Sequence, residues 1–502
     1  MGIRSVLSKP VAQWVVSEQR KWMQRGPAFQ TKILNTLISQ ARNTAFGKDY
    51  DFNSIRNHRD FASAVPIVDY EGIKVYIERI LAGEADVLWP GKPIYFSKTS
   101  GTTSGVKYIP MTKASIGNHL NGARDALLNY IYHTGESRFL DGKLIFLSGS
   151  PELDLKGKIP VGRLSGIVNH HVPGYLKGNQ LPSYQTNCIE DWETKVDSII
   201  DETLSEDMSL ISGIPPWVQM YFDKIQERTG KPIMEVFPNF SLFVYGGVNF
   251  EPYRKKLWKT IGRKVPSVET YPASEGFIAF QDQPDDPGLL ILLNSGIFYE
   301  FIPAEEYFSD NPTRLTIDQV ELSVNYAVVI NSNAGLWGYS LGDTVRFVSL
   351  NPYRLLVTGR IKHFISAFGE HVIGEEVETA MNQTLAKFKD VSIVEFTVAP
   401  QVTPASGLPL HQWFIEFSES PDSLSRFEKE LNLHLQKLNS YYDDLISGKI
   451  LRVLEIIPLN KDSFRNYMKS QGKLGGQNKV PRLSNDRRIA ESLLPFAIRK
   501  NP

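Results

Sequence analysis

The sequence predicts an α/β protein: a large N-terminal domain of mixed β-sheets flanked by helices, followed by a smaller α+β C-terminal domain. Three observations carry this expectation. Short apolar runs, "KLIFLSGSP" (143–151), "SLFVYGG" (241–247) and "GLLILLNSGIFYEFIP" (288–303), read as buried strands. Helical patterns at 191–204 and 216–228 lie between them, and that alternation is the signature of layered α/β architecture. The last third then changes character.

Taken in order, residues 10–45 read as helical, with Leu34, Leu37, Ile38 and Ala41 at three- and four-residue spacing. In the last third, "SIVEFTVAP" (392–400) and "HQWFIEF" (411–417) bracket a loop and predict a hairpin. A charged amphipathic helix (421–439), a strand (449–457) and a basic, glycine-rich tail (469–482) follow. The seam is expected just after "YRLLVTGR" (353–360), which gives domains 1–360 and 361–502. A chain of 502 residues is long enough for two to four domains. Its 42 % hydrophobic and 22 % charged residues are ordinary globular composition.

Lys plus Arg and Asp plus Glu both number 55, so the net charge is zero and offers no footprint for nucleic acid or anionic membrane, a local patch aside. Cys188 is the only cysteine, which excludes an internal disulfide and suits a reducing compartment. No stretch approaches the roughly 18 apolar residues of a membrane span. The opening "MGIRSVLSKP" lacks a signal-peptide core and has Val6 where a myristoylation signal wants Ser or Thr. The chain reads as soluble and cytoplasmic.

Four stretches carry candidate chemistry. "SKTSGTTSGVKY" (97–108) crowds hydroxyls around two glycines, with a lysine, Lys107, soon after the second. Glycines allow close approach to a ligand, and successive N–H groups with Ser/Thr hydroxyls can wrap phosphate oxygens, with a following helix adding its positive end. Gly101 and Gly105 are one residue too close for a Walker A loop, and no G-x-G-x-x-G occurs. The alternative is an ordinary surface loop. In "ETYPASEGFIAF" (269–280), Glu275 follows a turn and could hold Mg²⁺ against phosphates, or simply cap the turn. In "GYSLGDTVRF" (338–347), a glycine turn places Asp343 just before a strand, where its carboxylate could accept two ribose hydroxyls, or act as a plain turn residue. In "GGQNKVPRL" (475–483), Lys479 and Arg482 sit on a glycine-rich approach suited to transient contact with developing negative charge, or form a solvated basic tail.

In this order the stretches resemble the adenylate-forming (ANL) superfamily of ligases. "TSGTTSGVK" (99–107) is similar to its phosphate loop, "YPASEG" and "YSLGDTV" to its Y-G-x-T-E and Y-x-T-G-D-L elements, "GRIKHFISAFGEHVIGEEVE" (359–378) to its hinge, and "NKVPR" to the element of its catalytic lysine. Within the superfamily, "ARNTAFGKDYDF", "YGGVNFEPYR" (245–254) and "QNKVPRL" resemble the auxin-responsive Gretchen Hagen 3 acyl acid amido synthetases.

The resemblance implies an ATP- and Mg²⁺-dependent ligase that turns a small carboxylic acid into an acyl-adenylate, releases pyrophosphate, and passes the acyl group to an amino acid's amine. It implies phosphate contacts from Ser100, Thr102 and Thr103, with Gly101, Lys107, Ser274 and Arg360 in the same ATP-binding set. It implies Tyr271 against the adenine, Glu275 near Mg²⁺ and phosphate, Asp343 on the ribose, Lys362 at the hinge, and Lys479 carried in by a mobile C-terminal domain as the catalytic lysine. His371 and Arg482 are candidates for a phosphate or acceptor site. An acyl pocket is implied around Trp217, Val218, Tyr245 and Val248, which are equally readable as core. Arg124, on the helix after the loop, could meet a substrate carboxylate or be a surface arginine. Departures are Ser104 and Val106 in the phosphate loop, Asn478 for the glycine before the lysine, and His371 where the plant enzymes carry a lysine. Two alternatives remain: an acyl-coenzyme A ligase with the same first step, and a nucleotide-binding protein that no longer catalyses.

Overall fold

The computed structural model describes residues 2–498 apart from 101–105, 173, 190, 248–249, 362–363, 366–371, 403, 405, 448–450, 475–478 and 485–486. The chain divides into two compact units, one of Met1–Gly247 with Thr260–Val357, the other of Val248–Lys259 with Thr358–Pro502.

The first unit is built on an eleven-stranded mixed sheet. Four of its strands towards one edge, Lys143–Phe146, Met208–Ser212, Leu242–Gly246 and Ser267–Ala273, are parallel neighbours. Lys143–Phe146 and Leu242–Gly246 read as apolar runs, as expected of parallel strands, and helices such as Trp192–Thr203 and Pro215–Thr229 lie between them in sequence. Gly276–Phe280 then returns antiparallel to Ser267–Ala273. The expected strand over 288–303 is two strands, Leu289–Ile291 and Ile297–Pro303. A second sheet of four strands contains Tyr95–Ser100, Val106–Met111 and Ile159–Gly162.

The helical pattern at 10–45 resolves into two helices, Ile3–Met23 and Gly26–Ala41. Pro27 explains the break: without an N–H it is suited to a helix's first turn, so the second helix starts there. Tyr70–Leu81 shows the spacing rule directly, burying Ile73, Tyr76, Ile77 and Ile80 behind an Asp69 cap that accepts from the Glu71 N–H.

The Glu300 carboxylate is fully enclosed in this unit. Glu300 accepts from Arg314 through both oxygens (2.9 and 2.7 Å), from Asn331 (2.9 Å), and meets His58 Nε2 at 2.8 Å. Burial alone would raise its pKa, but the bonds and charges of His58 and Arg314 outweigh that and hold it at about 2, below the ordinary 4.5. A depressed carboxyl stabilises the fold above its unfolded pKa. The contribution is therefore present above about pH 4.5 and lost as pH falls towards 2. Arg314→Met leaves this carboxylate without its bidentate partner and should cost about 3–5 kcal/mol, seen as a lower urea midpoint at pH 7. An unchanged midpoint would contradict the account.

The second unit carries the expected hairpin, Ser392–Gln401 against Leu410–Glu419, with Glu455–Leu459 added in parallel. This last strand lies later than the expected 449–457: Leu451 and Leu454 are buried core, and pairing starts at Glu455. Helices Gly374–Lys387 and Leu424–Leu438 pack Val377, Met381, Phe427, Leu431 and Leu435 onto Phe396 and Trp413. A large α/β part with sheets flanked by helices and a smaller α+β part are what the sequence predicts.

Candidate active site

The strand Ser267–Ala273 delivers Tyr271, Ser274 and Glu275 to its carboxyl end, the edge at which open α/β sheets hold ligands. Tyr271 is buried and its hydroxyl donates to Asp343 Oδ2 at 2.7 Å. Tyr339, also buried, directs its hydroxyl to Glu275 Oε1 at 3.4 Å. Burial, then the charges of Glu275 and Asp69, push the Tyr339 phenol well above its usual pKa, so it stays a donor. These two bonds cross-link "YPASEG" to "YSLGDT", stretches separated by 64 and 72 residues at the bonded pairs.

Asp343 differs from the expected position. It lies inside the strand Tyr339–Leu350 rather than before it. Between the pairs Ala327↔Thr344 and Val329↔Ser340 the register shifts by two residues, so Leu341–Asp343 bulge from the ladder, with Gly342 at φ +73°. A bulge re-aims a side chain, here towards Tyr271. The positive φ is what glycine supplies at least cost.

Ser97 links the third stretch, donating to Ser274 Oγ at 3.1 Å. It lies on Tyr95–Ser100, which pairs antiparallel with Val106–Met111 up to Ser100↔Val106. The expected helix does not follow the loop directly: a strand does, and the helix Ile116–Thr134 starts only after it. Gly101, Thr102 and Thr103 lie outside the described residues. Lys107 pairs with Thr99 and its ammonium stands 5.8 Å from the Tyr70 ring centroid.

Asn118, from that helix, has no motif to announce it, yet it fixes the turn holding Glu275. Its Oδ1 accepts from the Phe277 N–H (2.6 Å) and its Nδ2 donates to the Phe277 carbonyl (3.0 Å). Pro272, opposite Phe277 in the ladder, has no N–H to give, so the amide stands in for the missing partner. Asn118→Ala removes two buried bonds and should cost about 2–4 kcal/mol in urea unfolding. A loss within experimental error would show that the turn holds itself.

The remaining expected residues are dispersed. Arg124 is exposed and ion-paired with its neighbour Asp125. Trp217 and Val218 are buried on Pro215–Thr229. Tyr245 is buried, stacked on Phe243 and bonded to Glu269 at 3.3 Å. All three are packed as core side chains. Arg360 ends the strand Tyr353–Arg360. Val248, Lys362 and His371 lie outside the described residues.

In the second unit Lys479 is exposed, and the chain just after it is fastened to Ser392–Gln401: the Val398 N–H donates to the Arg482 carbonyl (2.9 Å) and Thr397 Oγ1 to that of Pro481 (2.7 Å). Arg482 itself is committed. It donates to Glu378, Glu395, the Phe396 carbonyl and Tyr253, and stacks on Phe396, an arrangement that ties this tail to the sheet and leaves little of it for a phosphate. Both carboxylates raise its pKa further although burial acts against them.

Among the described residues no group of three metal-ligating side chains is preformed. A single carboxylate at Glu275 suits Mg²⁺, which keeps waters and takes substrate phosphates as ligands. No helix among the described residues is long and apolar enough to cross a membrane.

Three family domains match the chain in order: the GH3 family N-terminal domain at residues 15–183, its central domain at 290–360 and its C-terminal domain at 375–488. A jasmonoyl–L-amino acid synthetase of Nicotiana attenuata is 24 % identical over 384 residues, 63 % of this chain and 66 % of that protein. An indole-3-acetic acid-amido synthetase of Arabidopsis thaliana is 22 % identical over 96 % of this chain and 94 % of its own. The solved GH3.15 acyl acid amido synthetase in complex with 2,4-DB superposes with a TM-score of 0.79 at 17 % identity, over 97 % of this chain and 96 % of that one, and so shares the fold. The ordered domain matches, reaching from residue 15 to residue 488, show that the chain belongs to the GH3 family.

Proposed function

We propose that the protein is an ATP-dependent acyl acid amido synthetase. One observation carries the reading: Tyr271–Asp343 and Tyr339–Glu275 join two distant acidic stretches at the carboxyl edge of the sheet, with Ser97 bonded to Ser274 beside them. That grouping supports a nucleotide site in which Asp343 takes the ribose hydroxyls, Tyr271 lies against the adenine, and Ser100, Thr102, Thr103 and Lys107 meet the phosphates. The relatives' activities on jasmonic and indole-3-acetic acids support an acyl acid and an amino acid as co-substrates.

A carboxylate is a poor electrophile until its charge is masked. One carboxylate oxygen attacks the α-phosphorus of ATP, the bond to the β-phosphate breaks, and pyrophosphate leaves. The amine then attacks the acyl carbon, loses its proton, and AMP leaves with the electron pair of the broken C–O bond. Glu275 would hold Mg²⁺, which would supply charge neutralisation at the phosphates. Lys479 donates to the oxygens where charge builds in the first step. In this reading residues 1–360 hold ATP and acid, and residues 361–502 bring Lys479 in and withdraw it, in a cytoplasmic setting.

The test is pyrophosphate release from ATP and Mg²⁺ with aryl, indolyl and fatty acids, each alone, with mixed amino acids, and with coenzyme A. Release with amide detected by mass spectrometry is the expected result. Stimulation by coenzyme A with a thioester product would replace the reading by a thioester ligase.

A further inference from the structure

Arg163 and Lys195 are two cations with no carboxylate partner among the described residues; Arg163 adjoins the site just built, and Lys195 is close enough to Arg163 to feel its charge. Strand Ile159–Gly162 runs parallel to Tyr95–Ser100 with Gly162 matched to Ser97, the residue bonded to Ser274. Arg163 is the next residue. Its stem lies on Gly149, where an added Cβ would fall 2.5 Å from Arg163 Cδ, so a side chain at 149 would have to displace the arginine stem. Burial lowers the Arg163 pKa, and its guanidinium has no hydrogen-bond partner among the described residues.

Lys195 is 2 % exposed on the helix Trp192–Thr203. Its ammonium donates to two neutral carbonyls, Ser148 at 3.1 Å and Asn187 at 2.6 Å, which leaves one of three N–H bonds unassigned. Burial brings it down to about 8, with nearby Cys188 acting upward and Arg163 downward. Asn187, 1 % exposed, donates to Ser148 Oγ at 3.2 Å and leaves Oδ1 without a partner. Turned over, the amide would keep a bond to Ser148 Oγ and present an N–H instead. Ser148 and Gly149 follow the parallel strand Lys143–Phe146, so they emerge on the same sheet edge as Ser274 and Glu275, three strands away or about 14 Å.

Buried cations in folded proteins are ordinarily paired, because desolvation without compensation is costly. Here the buried Lys195 and the half-buried Arg163 flank one backbone segment, and an acid seated between this segment and Ser274 would bring the missing charge. We propose that Arg163 and Lys195 form the anion-binding end of the acyl-acid site, so that the acid activated here carries a second anionic group besides the carboxylate that is adenylated. The inference rests on the amido synthetase reading and names the substrate class within it.

The experiment is ATP–pyrophosphate exchange with pairs of acids of equal length, one a monocarboxylate and one a dicarboxylate, from hexanoate and adipate to dodecanoate and dodecanedioate, with benzoate and the phthalates as aryl pairs. Wild-type protein should favour the dicarboxylate of at least one pair in kcat/KM by about ten- to a hundredfold, the size of one or two charge-assisted bonds. Arg163→Gln should shrink that ratio at least tenfold, and Lys195→Met should do the same, thermal melting confirming that each variant is folded. The arginine variant alone decides the matter if the buried lysine variant does not fold. Preference for monocarboxylates in every pair, or equal losses with both acids, would overturn the inference and leave the amido synthetase reading standing. No exchange with any acid would overturn both.

Discussion

Lys479→Ala should lower the rate of ATP–pyrophosphate exchange by about 10²–10³-fold, the loss that follows removal of one pre-aimed donor from a developing oxyanion. The affinity for ATP, measured by titration calorimetry, should change little, because the lysine's contribution belongs to the transition state rather than to the bound nucleotide. Lys479 is exposed, and the segment behind it is held by backbone bonds from Val398 and by Thr397. A variant with normal exchange would show that the catalytic cation lies elsewhere.

Asp343→Ala should act on the opposite term. It removes the acceptor of the Tyr271 hydroxyl and the carboxylate assigned to the ribose, and should raise the KM for ATP by about ten- to a hundredfold. The effect on kcat at saturating ATP should be the smaller one. Tyr271→Phe separates the two roles: it deletes the 2.7 Å bond and keeps the ring, so a much milder rise in KM is expected. If Asp343→Ala bound ATP as tightly as the wild type, the ribose assignment would fall.

The elements legible in the sequence are those whose signal is local. The hairpin of Ser392–Gln401 and Leu410–Glu419, the strands Lys143–Phe146 and Leu242–Gly246 and the helix Pro215–Thr229 each follow from a local run with its own pattern of apolar residues. The motif order along the chain pointed to the right family. What the sequence hid depends on meetings between distant residues. The bulge that turns Asp343 towards Tyr271 exists only because two strands pair out of step. Asn118 gained its importance from Pro272, 154 positions later and silent about its partner. Arg482 looked like a free cation on a basic tail, and two carboxylates and a tyrosine from elsewhere in its unit enclose it. Likewise Lys195 and Arg163 belong to no motif. Their interest comes from what does not face them.

The most direct test of the account is an isotope experiment on the bond it requires. Aryl and indolyl acids carrying ¹⁸O in both carboxylate oxygens are incubated with the protein, ATP, Mg²⁺ and mixed amino acids, and the nucleotide products are analysed by mass spectrometry. Attack of the carboxylate on the α-phosphorus predicts AMP bearing one ¹⁸O, with the other retained in the amide. Release of ADP with the label in inorganic phosphate would mean an acyl-phosphate route and would contradict the central claim.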